Sequence, residues 1–163
     1  MAKNKEEKTN VMRVLEQKKI AYSAHTYPHE EGVAVDGVTV AQSMGFDPAA
    51  VFKTLVARGA KGLFYVFDVP VAENLDLKKA AKAVGEKSIE MLHQKELLPL
   101  TGYVHGGCSP VGMKKLFPTV IDASAENLET MIVSAGKIGY QVELSPRDLA
   151  ALVRAKFADI IVE

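Results

Sequence analysis

The sequence has little of several features that mark specialised classes of protein. Its 163 residues include one cysteine, Cys108, and no tryptophan, so no intramolecular disulfide can form. Basic and acidic side chains number 20 each, and the formal net charge of zero provides no global positive field to attract a long nucleic acid. We therefore expect no DNA partner, and any contact with nucleic acid must be small and local.

Long hydrophobic runs are also lacking. The apolar stretch Leu63–Val71 is interrupted by Asp68 and Pro70, and it is far shorter than the ~20 residues that cross a bilayer as a helix. The first residues, Met1–Lys8, form a charged run without the apolar segment of a signal peptide. These absences predict a cytoplasmic protein with no membrane partner.

The overall composition is that of an ordinary globular chain. Hydrophobic residues make up 48% and charged residues 25% of the sequence, which is far from the composition of disordered proteins. A chain of this length buries roughly 70% of its unfolded surface, so it needs no disulfide or metal to fold. We expect a single domain covering residues 1–163.

Local patterns predict several β-strands interleaved with helices. Two pairs of apolar runs flank short glycine-containing loops and predict hairpins: Val51–Ala57 with Leu63–Val69, and Met131–Ser134 with Tyr140–Leu144. Capping signals predict helices that start at Thr9 or Asn10, cover Thr39–Met44 and Leu77–Val84, form a short turn at Ser88–His93, and start again at Ser145. Ile160–Val162 is predicted as a last strand. This order predicts an α/β or α+β fold.

No familiar cofactor motif is present. The sequence lacks the glycine-rich phosphate loop, the dinucleotide fingerprint and the nucleophile elbow of α/β-hydrolases. His25 and His29 have the spacing of a helical metal pair, but the intervening Tyr27-Pro28 favours extended backbone. With no third ligand evident, we expect neither a metal nor a cofactor.

Lys53 is the one cation inside the first strand of the first hairpin. A lysine in this setting either extends to solvent or lies partly desolvated at a pocket. Strand alternation by itself favours a solvent-exposed lysine. The functional alternative is a cation that binds a phosphate or polarises a carbonyl group.

Two glycine-containing turns could bind a ligand. The turn at Gly106 and Gly107 allows close approach of the backbone, and the turn after Ser134 combines a hydroxyl group with a cation. Both patterns also occur in ordinary loops. Cys108 could act as a nucleophile with His105 as its base, but an unpaired cysteine is more often a small buried apolar residue.

Several short blocks, taken in order and with their spacing, resemble one known family. These blocks are His25–Tyr27, Val51–Leu55, Leu77–Lys82, Thr101–Tyr103, Gly106–Gly112 with Lys114 and Lys115, and Val133–Lys137. Together they are similar to the YbaK/EbsC family of aminoacyl-tRNA deacylases, in particular its Cys-tRNA(Pro)/Cys-tRNA(Cys) branch. The resemblance runs from about Thr9 to Glu163.

The resemblance implies a fold and a site. The expected fold is a mixed, largely antiparallel sheet, curled or closed into a barrel, with helices packed around it. Lys53 corresponds to the lysine that the family needs most for deacylation, and it would contact the phosphate region of the terminal adenosine and orient the ester. The residues that correspond to the family's substrate-binding wall are Tyr27, Thr54, Gly106, Gly107, Ser109, Ser134 and Gly136.

The resemblance also implies a reaction and partners. The substrate would be the acceptor end of an aminoacyl-tRNA, and the thiol of the bound cysteine would attack its own ester carbonyl, so that no protein nucleophile is required. Prolyl-tRNA synthetase is the expected protein partner. The candidate phosphate contacts are Lys53, Lys78, Lys79, Lys82, Lys114, Lys115 and Lys137.

Two positions depart from the family's pattern, and two alternatives stay open. Cys108 stands where an aliphatic residue is common, and Ala135 stands where a glycine is frequent before Gly136. One alternative is a non-catalytic module that binds tRNA, a nucleotide or a synthetase in the same cleft. The other is a thiol enzyme that uses Cys108.

Overall fold

The computed structural model describes residues 8–163. The charged run Met1–Lys8 and the expected domain limits of 1–163 extend into residues 1–7, which lie outside the described residues. The described part contains five α-helices: α1 Asn10–Gln17, α2 Gly37–Met44, α3 Leu77–Ala83, α4 Gln94–Thr101 and α5 Pro146–Val153. Its eight strands are β1 Tyr22–Thr26, β2 Phe52–Gly59, β3 Phe64–Pro70, β4 Ile89–Met91, β5 Thr119–Asp122, β6 Met131–Ser134, β7 Tyr140–Leu144 and β8 Lys156–Ala158.

The strands form two sheets. Three strands pair in the order β1-β7-β6, all antiparallel, and five pair in the order β4-β2-β3-β5-β8. In the larger sheet β2 is antiparallel to both β3 and β4, whereas β5 is parallel to β3 and β8. An isolated parallel bridge between Val51 and Ile132 joins the sheets where β2 begins. The prediction of a mixed, largely antiparallel α+β fold is confirmed.

Most predicted helix starts agree with the structure because their caps are local. The Thr9 hydroxyl accepts from the Met12 backbone N–H and begins α1, and Ser145 caps α5 by accepting from Asp148. Asp76 accepts from two backbone N–H groups at the start of α3. Both predicted hairpins are confirmed as β2-β3 and β6-β7.

Two local predictions are wrong. Ser88–His93 is not a helical turn: Ile89–Met91 is a strand that pairs with residues 57–59 of β2. The last strand lies at Lys156–Ala158, earlier than predicted, and Ile161 contributes only a single bridge to Leu75. In both cases the pairing partner is distant in sequence, so local propensity could not identify it.

The hydrophobic core has a main part and two smaller clusters. The main part lies between the two sheets, where Val11 and Leu15 of α1 and Leu149 of α5 pack against Phe52 and Val142. A second cluster lies where α3 packs against the opposite face of the larger sheet. The third joins α2 to the junction of the sheets through Ala41, Val51, Val71 and Ile132. No helix in residues 8–163 is long and apolar enough to span a bilayer.

Candidate active site

A cavity of about 300 Å³ lies beside the junction of the two sheets. One wall is the start of β2, from Val51 to Leu55, and the opposite wall is the start of α2 with the residues that precede it. Ser134 and Gln141, paired across β6 and β7, border it on a third side. The loop that carries His105, Gly106 and Cys108 also lines the cavity.

Five of the eight predicted site residues line this cavity. They are Tyr27, Lys53, Thr54, Gly106 and Ser134. The other three lie behind the wall. Ser109 is fully buried, and its hydroxyl accepts from the Val111 N–H at 3.2 Å. Gly107 packs against the backbone of residues 137–138, and the Gly136 N–H donates to the Ser134 hydroxyl at 3.1 Å.

Lys53 is the only cation among the described residues that line the cavity. Its side chain is half-buried, and within residues 8–163 it forms no ion pair or hydrogen bond. Burial lowers the pKa of Lys53 because the charged ammonium group loses hydration, and the carboxylate of Glu73 opposes this shift through space. The result is a partly desolvated cation that is available to an anionic ligand.

Three hydroxyl groups accompany the cation. Tyr27 is 4% exposed, and burial raises the pKa of its phenol, so this hydroxyl stays protonated. Thr54 follows Lys53 in β2, and its hydroxyl donates to Oδ1 of Asp68 at 2.5 Å. The Ser134 hydroxyl accepts a backbone N–H from Gly136. Neutral hydroxyl groups therefore surround Lys53, and Asp36, which caps α2, adds a carboxylate to the opposite wall.

Gly106 allows the 105–108 loop to approach α2 closely. Its φ of +90° lies in the left-handed region, and a Cβ placed there would lie 2.7 Å from Cβ of Ala34. Any side chain would push the loop away from the residues that precede α2. The glycine thus fixes the width of the cavity on this side.

Cys108 does not have the surroundings of a nucleophile. It is 7% exposed, and burial, together with the negative charge of Asp68, raises the pKa of its thiol to about 12. A thiol in this state is protonated at neutral pH, whereas reactive cysteines have lowered pKa values.

The two histidines considered as a metal pair have other partners. His25 Nε2 lies 2.8 Å from Glu143 Oε1, and His29 Nδ1 lies 2.9 Å from the Tyr27 carbonyl oxygen. Across the described part of the chain, no three His, Cys, Asp or Glu side chains come together as metal ligands. The expectation of no metal and no cofactor stays a prediction.

The predicted phosphate-contacting lysines are dispersed. Lys79 pairs with Asp159 at 3.1 Å and Glu163 at 3.4 Å, and it also donates to the Ile161 carbonyl oxygen. Lys114 donates to the Pro99 carbonyl oxygen at 3.3 Å. The ammonium group of Lys137 lies 5.4 Å from the centre of the Tyr140 ring. Of the seven candidates, Lys53 alone lines the cavity.

Sequence reasoning missed three polar residues at the site, of which Asp36, the N-cap of α2, lines the cavity and accepts from the Thr39 N–H at 3.1 Å. Gln141 lines the cavity and is 6% exposed, and its Oε1 has no hydrogen-bond partner within residues 8–163. Asp68 lies directly across from Thr54 in the β2-β3 pair and is fully buried. An acidic residue inside an apolar run was a signal of the same kind as Lys53, and it could have identified Asp68.

The sequence of residues 32–152 matches the family model of the aminoacyl-tRNA editing domain. The chain belongs to this family. The resemblance inferred from the sequence blocks is thereby confirmed.

Curated relatives of this editing domain agree with the family. It is 46% identical over 161 residues to a protein of Enterococcus faecalis named as a Cys-tRNA(Pro)/Cys-tRNA(Cys) deacylase, EbsC, and the alignment covers 98% of each chain. It is also 28% identical over 100 residues to the proline--tRNA ligase of Shouchella clausii. That alignment covers 61% of the editing domain and 17% of the ligase.

Solved structures share the fold of the editing domain. One, described as a trans-editing enzyme for prolyl-tRNA synthetase, has a TM-score of 0.80 at 27% identity and is covered over 95% of its length, against 94% of this chain. A second, the hypothetical protein APE2540, has a TM-score of 0.82 at 21% identity, with 93% of this chain and 99% of that chain covered. The second likeness concerns the fold alone.

Proposed function

We propose that this editing domain removes cysteine from mischarged Cys-tRNA(Pro), with Cys-tRNA(Cys) as a further substrate. The observation that carries the proposal is the composition of the cavity, in which a half-buried cation, Lys53, lies among hydroxyl groups and apolar walls, with the carboxylate of Asp36 on the side of α2. This combination suits a ligand with one anionic group and one small, uncharged side chain. The 3′ end of an aminoacyl-tRNA has both.

The size of the cavity supports a small amino acid. A volume of about 300 Å³ lies at the lower end of the range for small-molecule sites. Val40, Val51 and Leu55 provide apolar contacts, which favour a thiol-bearing side chain over a strongly hydrated one. The rest of the tRNA would lie outside, in agreement with a chain that has no net charge.

Lys53 provides the electrostatic part of the site. Its ammonium group would pair with the phosphate next to the terminal adenosine and hold the ester at the cavity. Because Lys53 is partly desolvated, this attraction is stronger than it would be for a fully solvated lysine. Tyr27, Thr54 and Ser134 would orient the aminoacyl group by hydrogen bonds.

The substrate's own thiol performs the bond exchange. Sγ of the bound cysteine attacks its ester carbonyl, so that a carbon–sulfur bond forms while the bond from the carbonyl carbon to the ribose oxygen breaks. The thiol gives up its proton and the ribose oxygen takes one up, which yields a cyclic thiolactone and free tRNA. Water then opens the thiolactone to cysteine. Here the protein contributes orientation and proximity.

Prolyl-tRNA synthetase is the proposed partner, and the cytoplasm the proposed compartment. The likeness to part of a proline--tRNA ligase and to a structure described as a trans-editing enzyme supports this assignment. A domain with a small site and no net charge binds tRNA weakly by itself. Action beside the synthetase would supply the missing tRNA selectivity.

The proposed function is tested by amino acid release from a panel of charged tRNAs. Labelled Cys-tRNA(Pro), Ala-tRNA(Pro) and Ser-tRNA are incubated with the wild-type chain at one salt concentration, and the ester that remains is measured over time. We expect rapid loss of cysteine alone, because a serine hydroxyl is a much weaker nucleophile than a thiol. Tight binding of tRNA without release of any amino acid would support the non-catalytic alternative and contradict the proposal.

Cys108→Ala is expected to leave deacylation nearly unchanged, at about half of the wild-type rate or more, because its buried thiol is protonated at neutral pH. The rate with Cys-tRNA(Pro) is measured for both chains, before and after treatment with iodoacetamide. A loss of activity in the variant that folds normally would instead support the thiol enzyme. Inactivation of the wild type by alkylation alone would not, because Cys108 lines the cavity and the added group would block the substrate.

A further inference from the structure

Asp68 destabilises the folded chain at the position that it occupies. It is fully buried, and its neighbours in β3, Phe67 and Val69, are buried as well. Burial raises the pKa of the Asp68 carboxyl to about 7, although the hydrogen bond from Thr54 acts in the opposite direction. Within residues 8–163, Asp68 forms no ion pair and no second hydrogen bond that would offset its loss of hydration, since Oδ2 has no partner. An apolar residue at this position would give a more stable folded chain.

The one hydrogen bond of Asp68 leads to the cavity. Thr54 and Asp68 are direct partners in the antiparallel β2-β3 pair, so their side chains lie on the same face of the sheet. The Thr54 hydroxyl donates to Oδ1 at 2.5 Å, a distance typical of a hydroxyl bonded to a carboxylate. Thr54 lines the cavity beside Lys53. The buried carboxyl is thus joined to the site through a single side chain.

This hydrogen bond determines whether the Thr54 hydroxyl can donate to a ligand or only accept from it. A hydroxyl group has one proton and two lone pairs. When the proton is held by Asp68, the oxygen can only accept a hydrogen bond from a ligand in the cavity. A cysteinyl ester has two donors near its carbonyl group, the α-ammonium group and the thiol. Without Asp68 the hydroxyl could rotate and present its proton instead.

We propose that Asp68 is a positioning residue for deacylation, which holds the Thr54 hydroxyl as a hydrogen-bond acceptor for the donor groups of the bound cysteinyl ester. The inference rests on the proposed function of the cavity. It assigns no direct contact between Asp68 and the substrate. It also explains why a buried carboxyl is kept where an apolar side chain would be more stable.

The test uses Thr54→Val, Asp68→Val, the double variant and Asp68→Asn in the full chain. Each is assayed for kcat and KM with Cys-tRNA(Pro), and its urea unfolding midpoint is measured. We expect both single valine variants to lose about 10-fold in kcat with KM changed by less than about 2-fold, as for one lost hydrogen bond. The double variant should be no slower than Thr54→Val, because both changes remove the same interaction.

Two further results separate positioning from a structural role. Asp68→Asn keeps an acceptor oxygen for Thr54, so it should recover at least about half of the wild-type kcat. Asp68→Val should unfold at the same or a higher urea concentration than wild type, because it removes a buried carboxyl. A purely structural Asp68 predicts a lower midpoint instead.

The outcomes that would overturn the inference are distinct from those that would overturn the function. Full kcat in Asp68→Val, additive losses in the double variant, or an Asp68→Val chain that fails to fold would each contradict the positioning role while wild-type deacylation stands. A wild-type chain that releases no cysteine would overturn the proposed function and the inference together.

Discussion

Lys53→Ala is expected to lower kcat/KM for Cys-tRNA(Pro) by at least about 100-fold, the largest activity loss of any single substitution at this site. Lys53 supplies the only positive charge among the described residues of the cavity wall, and no ion pair in residues 8–163 occupies it. Its removal leaves the substrate's anionic group without a partner. The measurement is the rate of labelled cysteine release under saturating and subsaturating tRNA.

Lys61→Ala is the matched control for this prediction. Lys61 is an exposed lysine in the loop between β2 and β3, at the opposite end of the strand from Lys53. The two substitutions remove the same charge and the same alkyl chain from one hairpin. Equal losses in both variants would indicate a general effect of net charge on tRNA binding, and unchanged activity in Lys53→Ala would show that the cavity is not the site of deacylation.

The elements that could be predicted from sequence depend on contacts within a few residues. The cap of α1 joins Thr9 to Met12, and the loop of the β2-β3 hairpin spans only residues 60–63. The strand Ile89–Met91 is different because it pairs with residues 57–59 on the edge of a sheet. Its three residues have no strong β pattern, and the prediction of a helical turn failed for that reason.

The division of the strands into two sheets also cannot be predicted from local sequence patterns. Both hairpins are predicted, yet their mutual placement depends on the bridge from Val51 to Ile132, on the packing of α2 over it and on the core between the sheets. That junction creates the cavity. The sequence therefore predicts the walls of the site separately, whereas only the tertiary structure brings them together.

For the site residues, too, the sequence does not show which distant side chains meet. Lys53 could be singled out because a cation inside an apolar strand is unusual, and the family resemblance then gave it a role. Asp68 is as unusual, but its partner Thr54 is 14 residues away, and only the register of the hairpin shows that the two side chains meet. Of the two glycines predicted as ligand contacts, Gly106 lines the cavity, whereas Gly107 packs behind it against the backbone of residues 137–138.

Asp68 should also make the stability of the chain depend on pH in an unusual direction. In the folded chain its pKa is raised from the ordinary value of 3.8 to about 7 by burial. Between these two values the folded state holds a proton that the unfolded state has released. The free energy of unfolding therefore falls as the pH rises from about 4 through about 7, and the contribution of the neutral carboxyl is fully present only below this window.

The other shifted carboxyl groups act below about pH 5, at the acid end of this window and beyond it. Their pKa values are lowered, so the stability that they contribute is present above their ordinary pKa values and is lost only as the pH falls into the acid range. Hydrogen bonds from neighbouring side chains are the main cause of each shift, and the groups are Glu16, Asp36, Glu96 and Glu143. A comparison between about pH 5 and about pH 8 thus separates Asp68 from these four groups.

Asp68→Asn is expected to remove most of this pH dependence. Between about pH 5 and about pH 8 the wild-type chain should lose about 3 kcal/mol more of its free energy of unfolding than the variant, because a raised pKa of about 7 is titrated in that range. Urea unfolding followed by circular dichroism at four pH values gives the comparison, and subtraction cancels groups common to both chains. Parallel pH profiles would mean that Asp68 is already ionised in the folded chain at about pH 5, and that Thr54 alone stabilises its charge.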